Sequence, residues 1–109
     1  MDYTKPVMSL LSKLQKSGVE ITDVFDGEGW TECMGDNNLS RRKDAADAIL
    51  SVDESLVKVN YQGEVAKLFI VLGNEPSEIL CDYGCKSGSI IESILEEVSE
   101  QFYEQWEKV

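Results

Sequence analysis

The segment from Val57 to Tyr83 leaves this chain the least freedom. Val57, Val59 and Tyr61 alternate with Lys58 and Asn60, the period-two pattern of a strand with one wet face. Gln62-Gly63-Glu64 reverses the chain, and Val65 to Leu72 returns as a strand apolar on both faces, a composition suited to the centre of a sheet. Gly73-Asn74-Glu75-Pro76 turns it again, and Ile79, Cys81 and Tyr83 fall on one side of a third strand. Two short connections in succession imply an antiparallel meander, since a parallel neighbour needs a crossover of about a dozen residues or more.

Helices flank this block. Residues 6–17 read as the first: Pro6 suits the opening position, Val7, Leu10, Leu11 and Leu14 make one stripe, and Gly18 ends it. Lys13 and Lys16 sit where the helix dipole favours cations. Val19 to Phe25 is expected to be extended, with Val19, Ile21 and Phe25 on one face. Asp26-Gly27 is a hairpin signal leading to a short strand from Trp30 to Met34. Ser40 or Asn38 is placed to cap a second helix that turns Ala45, Ala46, Ile49 and Leu50 inward. The last helix is the best specified. Ser89 and Glu92 have capping-box spacing, and Ile91, Ile94, Leu95, Val98, Phe102 and Trp106 hold one face. The expected architecture is a single α+β domain over residues 1–109: an antiparallel sheet of three to five strands with a C-terminal meander, packed with three helices, the last one long.

Composition decides what such a domain can meet. With 109 residues, 42% of them hydrophobic, the chain suffices for one core. Twenty-one acidic residues face ten basic ones with no histidine, a formal net charge of −11. That field repels nucleic-acid phosphates and anionic membranes, so direct binding to either is not expected. No stretch approaches the roughly 20 apolar residues of a membrane helix. Met1-Asp2-Tyr3-Thr4-Lys5-Pro6 lacks the basic-then-apolar order of a secretory signal, and three cysteines, an odd number, argue against a disulfide framework. A cytoplasmic protein is expected.

The acidic residues are gathered. Glu92, Glu96, Glu97, Glu100, Glu104 and Glu107 occupy the polar side of the last helix without a Lys or Arg until Lys108. Neighbours four apart lie about 6 Å along the axis, and like charges at that spacing cost roughly 0.2–0.5 kcal/mol per pair. Residues 20–36 carry Glu20, Asp23, Asp26, Glu28, Glu32 and Asp36, again with no Lys or Arg. Carboxylates spaced on the scale of DNA phosphates suit a basic groove on another protein. The ordinary alternative is a solvated face that keeps the chain soluble. Trp30, beside Gly29 in the acidic segment, is the aromatic residue best placed to anchor an interface, whereas Trp106 continues the core stripe. The partner-binding candidates are therefore Glu92, Glu96, Glu100, Glu104, Asp23, Asp26, Glu28 and Trp30.

Other chemistry is poorly served. Cys81 and Cys85 are neither a redox pair nor, without histidine, half of an ordinary zinc site, and Cys81 reads as a small apolar residue facing inward. Asp23 to Gly29 lacks the alternating oxygen ligands of a calcium loop, because Val24 and Phe25 interrupt them. Gly84 to Ser89 contains Lys86 but not the P-loop pattern. No nucleophile elbow is visible. Neither enzyme activity, metal nor cofactor is expected.

The run Leu68-Phe-Ile-Val-Leu-Gly-Asn-Glu-Pro-Ser-Glu-Ile-Leu-Cys-Asp-Tyr83, with the helix ending Phe102-Tyr-Glu-Gln-Trp106, resembles small uncharacterised acidic proteins of bacteriophages and prophages, over about the last third of the chain. That resemblance implies action in a host cytoplasm and interference with host machinery, nucleases included. It transfers no site residues. The expected function is an acidic protein-binding or inhibitory module, a nucleic-acid mimic occupying a basic site on a host protein. The alternative is a structural or assembly module acting as a homodimer.

Overall fold

The computed structural model describes residues 2–107. Element order is α1 (Thr4–Lys16), β1 (Glu20–Phe25), β2 (Trp30–Glu32), α2 (Asn38–Leu50), β3 (Glu54–Tyr61), β4 (Glu64–Val71), a 3-10 turn (Pro76–Glu78), β5 (Leu80–Gly84) and α3 (Ile90–Glu107). The strands form one antiparallel sheet in the order β2-β1-β3-β4-β5. The expected α+β architecture is thus present, with all five strands and three helices, and the meander is its β3-β4-β5 half.

The β3–β4 hairpin sets the sheet's register. Its two-residue loop has positive φ at both Gln62 (50°) and Gly63 (90°), the primed turn whose twist matches that of the flanking strands. Asn60 Oδ1 accepts from Gly63 N at 3.0 Å and secures it. With that register, Val57, Val59, Ala66, Leu68 and Ile70 all point to one face and are buried there, joined by Ile21 and Val24 of β1. All three helices cover this face. Leu10, Leu11 and Leu14 of α1, Ala45 and Ile49 of α2, and Ile91, Leu95, Val98 and Phe102 of α3 complete one continuous core. α2 lies over the β1 side, α3 over β4 and the 3-10 turn, and α1 between them.

Four local expectations are corrected. Phe25 does not share a face with Ile21: the pairing of β1 with β3 slips between Ile21 and Asp23, so Thr22 is an extra, bulged residue and Val24 takes the inward place. A slip in β5 opposite Phe69 and Ile70 does the same to Cys81, which is exposed, while Leu80 pairs with Ile70. α2 is capped by Asn37, not Ser40 or Asn38. Asn37 Oδ1 accepts from Ser40 N at 2.9 Å, and Ser40 Oγ accepts from Asn37 N at 3.2 Å, a reciprocal box. α1 begins at Thr4, so Pro6 lies inside its first turn, where a missing N–H still costs nothing.

At the start of α3 the expected box is rearranged. Ser89 Oγ accepts from Glu92 N (3.3 Å), but Glu92 Oε1 reaches Gly88 N (3.1 Å), because Ser89 N is already given to Lys86 O (3.2 Å). Glu64, from the β3–β4 hairpin, supplies a further acceptor to Ile91 N at 3.1 Å. Carboxylates from two parts of the chain satisfy this helix N-terminus.

Candidate functional site

The polar side of α3 carries the first candidate group. At about 100° per residue, Glu92, Glu96, Glu97, Glu100, Glu104 and Glu107 fall within an arc of about 140°, opposite the buried Ile91, Leu95, Val98 and Phe102. All but Glu92 are exposed. Among the described residues one salt bridge is present, Arg41 to Glu20 at 3.9 Å, so no Lys or Arg is within 4 Å of these glutamates. Tyr103 stands in the same stripe, 45% exposed, and the Glu107 carboxylate beside it holds its phenol above the usual tyrosine range. Tyr83 on β5 is raised too, first by burial and then by Glu96, Cys85 and Glu92. The negative field of α3 thus extends to the β5 edge.

The second acidic segment lies elsewhere. β1 and β2 are at the opposite end of the sheet from β5, so Asp23, Asp26 and Glu28 do not join the α3 stripe. Several of these groups also have work within the fold. Asp26 Oδ1 accepts from Glu28 N (2.9 Å) and Gly29 N (3.0 Å), and these bonds hold its carboxyl below the usual aspartate range. Asp23 is paired across from Lys58, and Glu20 meets Arg41. The basic side chains are mostly on the first two helices, as Lys5, Lys13, Lys16, Arg41, Arg42 and Lys43.

Trp30 belongs to a different surface. It is 46% exposed and stands on the sheet face that no helix covers. The register aligns Trp30 with Phe25, Phe25 with Leu56, Leu56 with Phe69, and Phe69 with Asp82, so one row crosses all five strands. The Trp30 and Phe25 rings are 5.2 Å apart at a 41° tilt. Lys67 reaches over the same indole, its Nζ 5.7 Å from the ring centroid. The adjacent row runs Glu32, Asp23, Lys58, Lys67, Gly84. At the β4–β5 end, a shallow cleft of about 250 Å³ is lined by Leu56, Lys67, Phe69, Asp82, Tyr83 and Gly84.

Sequence reasoning places Lys58 on the wet face of its strand but does not identify Phe25, Leu56, Lys67 and Phe69 as residues of that surface. A signal is present in the sequence: Val65, Phe69 and Val71, with Lys67 between them, share the outer face of β4, and apolar residues on both faces of a strand also fit burial at the sheet's centre. Phe25 was hidden by the bulge at Thr22, which no alternation rule anticipates.

The remaining chemistry-bearing groups do not converge. Cys33 is buried, and burial first, then Asp44 and Asp23, push its thiol up to about 11. No group of three or more Cys, Asp or Glu side chains among the described residues is placed to hold a metal ion. No helix among them is long and apolar enough to cross a membrane. Comparison with protein-family models, with curated proteins and with solved structures gave no match to this chain.

Proposed function

We propose that this chain is a binding protein rather than a catalyst, and that the exposed stripe of α3 docks on a basic surface of another protein. The observation that carries the reading is the run of Glu96, Glu97, Glu100, Glu104 and Glu107, unpaired with any Lys or Arg among the described residues although six basic side chains lie on α1 and α2. Like charges at i, i+4 work against the helix that bears them. A helix serving stability alone would interleave lysines, so the cost points to a counter-charge from outside. Carboxylates repeating about 6 Å along an axis suit a groove built for phosphates, and the partner class is then a nucleic-acid-binding protein held in an inhibited state. Resemblance to phage proteins fits that use, in a host cytoplasm. Asp23, Asp26 and Glu28 drop out of the docking stripe on the ground of their position, and Asp26 also because its carboxylate is held by two bonds within the hairpin.

The test compares the wild-type chain with Glu96→Lys/Glu100→Lys/Glu104→Lys as immobilised bait in host extract. The expected result is a basic protein retained by the wild type only, released as salt rises, and displaced by a DNA or RNA duplex. Equal retention by both baits, or binding indifferent to salt, would refute the reading. A second reading, a homodimeric assembly module, is favoured by the uncovered apolar row of the sheet.

A further inference from the structure

We infer that the uncovered sheet face is the interface of a two-fold dimer, in which Trp30 of each copy packs into the β4–β5 cleft of the other. The inference does not depend on α3 having a partner, since α3 lies on the opposite side of the sheet. Three features of the face point to a second copy of this chain.

The first is shape. Trp30 rises from the β2 end of the row and leans across the face toward Lys67 of its own copy. The cleft lined by Leu56, Lys67, Phe69, Asp82 and Tyr83 stands at the β5 end, so packing into a partner exchanges the Lys67–indole contact for one between copies. A two-fold axis parallel to the strands and passing over β3 exchanges the two ends while keeping each row in line with itself. Trp30 then lands over the partner's β4–β5 cleft, Phe25 over Phe69, and Leu56 over Leu56. An isologous interface requires this self-complementarity of one patch.

The second is charge. In the neighbouring row, Glu32 and Asp23 lie on the β2–β1 side and Lys67 on the β4 side. The same rotation brings Asp23 of one copy opposite Lys67 of the other, twice per dimer. Lys58 falls on the axis against its own copy, with Asp23 as its cross-strand neighbour to offset the like charge. Lys58 and Lys67 are paired directly across β3 and β4, an arrangement unfavourable in an isolated sheet. Within one copy Lys67 turns to the Trp30 ring, and a carboxylate arriving from outside offers it an opposite charge instead.

The third is what the geometry keeps apart. Stacked sheets lie about 10 Å from each other with the helices on the outer sides. The two α3 stripes are therefore separated by more than the roughly 8 Å Debye length at physiological salt, and the net charge of each copy does not forbid association. Strands of three to eight residues, at about 3.4 Å per residue and about 4.8 Å apart, make a face about 24 Å wide and at most about 27 Å long. That is about 650 Å², below the roughly 800 Å² per partner of a standard interface, so a dissociable dimer is expected.

Sedimentation equilibrium of the full chain, from low micromolar to about 1 mM protein, tests this. The expected result is a monomer–dimer equilibrium in which Asp23→Lys and Lys67→Glu each weaken association at least about tenfold, while the double swap Asp23→Lys/Lys67→Glu recovers most of it. Circular dichroism guards against misfolded variants. In a Trp106→Phe background, the Trp30 emission should shift to the blue with dimer formation. A wild-type chain monomeric throughout would overturn the proposal. So would a dimer that the single charge reversals leave intact, or one that the double swap fails to rescue, since either outcome puts the contact on another surface.

Discussion

In the β1–β2 hairpin, Asp26 accepts two backbone N–H groups, Glu20 meets Arg41 and Asp23 faces Lys58 across the sheet. Along α3, Glu92 accepts from Gly88 N, Glu97 accepts from the Gln101 amide and Glu107 lies beside the Tyr103 hydroxyl, whereas Glu96, Glu100 and Glu104 have no hydrogen-bond partner among the described residues and stand in solvent. The two regions are alike in charge density and differ in what surrounds Glu20, Asp23 and Asp26, whereas Glu28, Glu32 and Asp36 are exposed like Glu96, Glu100 and Glu104. Turns and strand ends offer unpaired N–H donors, so acids placed there become part of the fold. A helix interior has none to offer, and its acids are left for water or a partner. Acidic clustering in a sequence therefore does not mark a docking face until the backbone under it is known.

The contrast predicts where substitutions hurt. Removing the inward side of α3 should matter most: Phe102→Ala, at a side chain 1% exposed, should cost about 3–5 kcal/mol in urea unfolding. A loss under about 1 kcal/mol would mean that α3 is not held by its apolar side and that its acids do more than face solvent. Thiol labelling at pH 8 separates the ends of the sheet. Exposed Cys81 should react at least on the order of a hundredfold faster than Cys33, whose burial and raised pKa leave it a thiol until the β1–β2 region opens. Comparable rates would show that the hairpin end opens readily and that its hydrogen-bonded acids fix little.

Smaller effects should differ in sign. Asp26→Ala should lower the unfolding midpoint, by less than Phe102→Ala does. Because the folded pKa of Asp26 lies below its unfolded one, its contribution is complete above the unfolded value, near pH 4, and is lost as pH falls through the folded value. The wild-type and Asp26→Ala midpoints should converge over that acid range. Glu100→Gln should do the opposite at neutral pH, stabilising by roughly 0.2–0.5 kcal/mol for each i, i+4 repulsion it removes, with Glu96 and with Glu104. A destabilised Glu100→Gln would erase the distinction between the two regions.

Much of the fold was legible because apolar spacing and turn residues agreed. The 57–83 meander, the hairpin at Asp26-Gly27 and the stripe of α3 all follow from period and punctuation. The misread positions cluster at two bulges, where one inserted residue turned Phe25 outward and left Cys81 exposed. Of the candidate site, the α3 stripe could be drawn on a helical wheel, because helix geometry fixes which side chains share a side. The row Trp30, Phe25, Leu56, Phe69 could not, since it is assembled by strand order, and adjacency across strands is a tertiary fact.

The margins of the sheet bear on how far any self-association can run. β2 is only three residues long, and β5 is broken by the slip at Cys81, so neither rim offers a straight ladder of free amides and carbonyls for another chain to extend. Growth strand by strand into fibres is blocked at both ends. Stacking broadside consumes the available apolar patch in a single event and leaves helices outside, so assembly by that route stops at a pair.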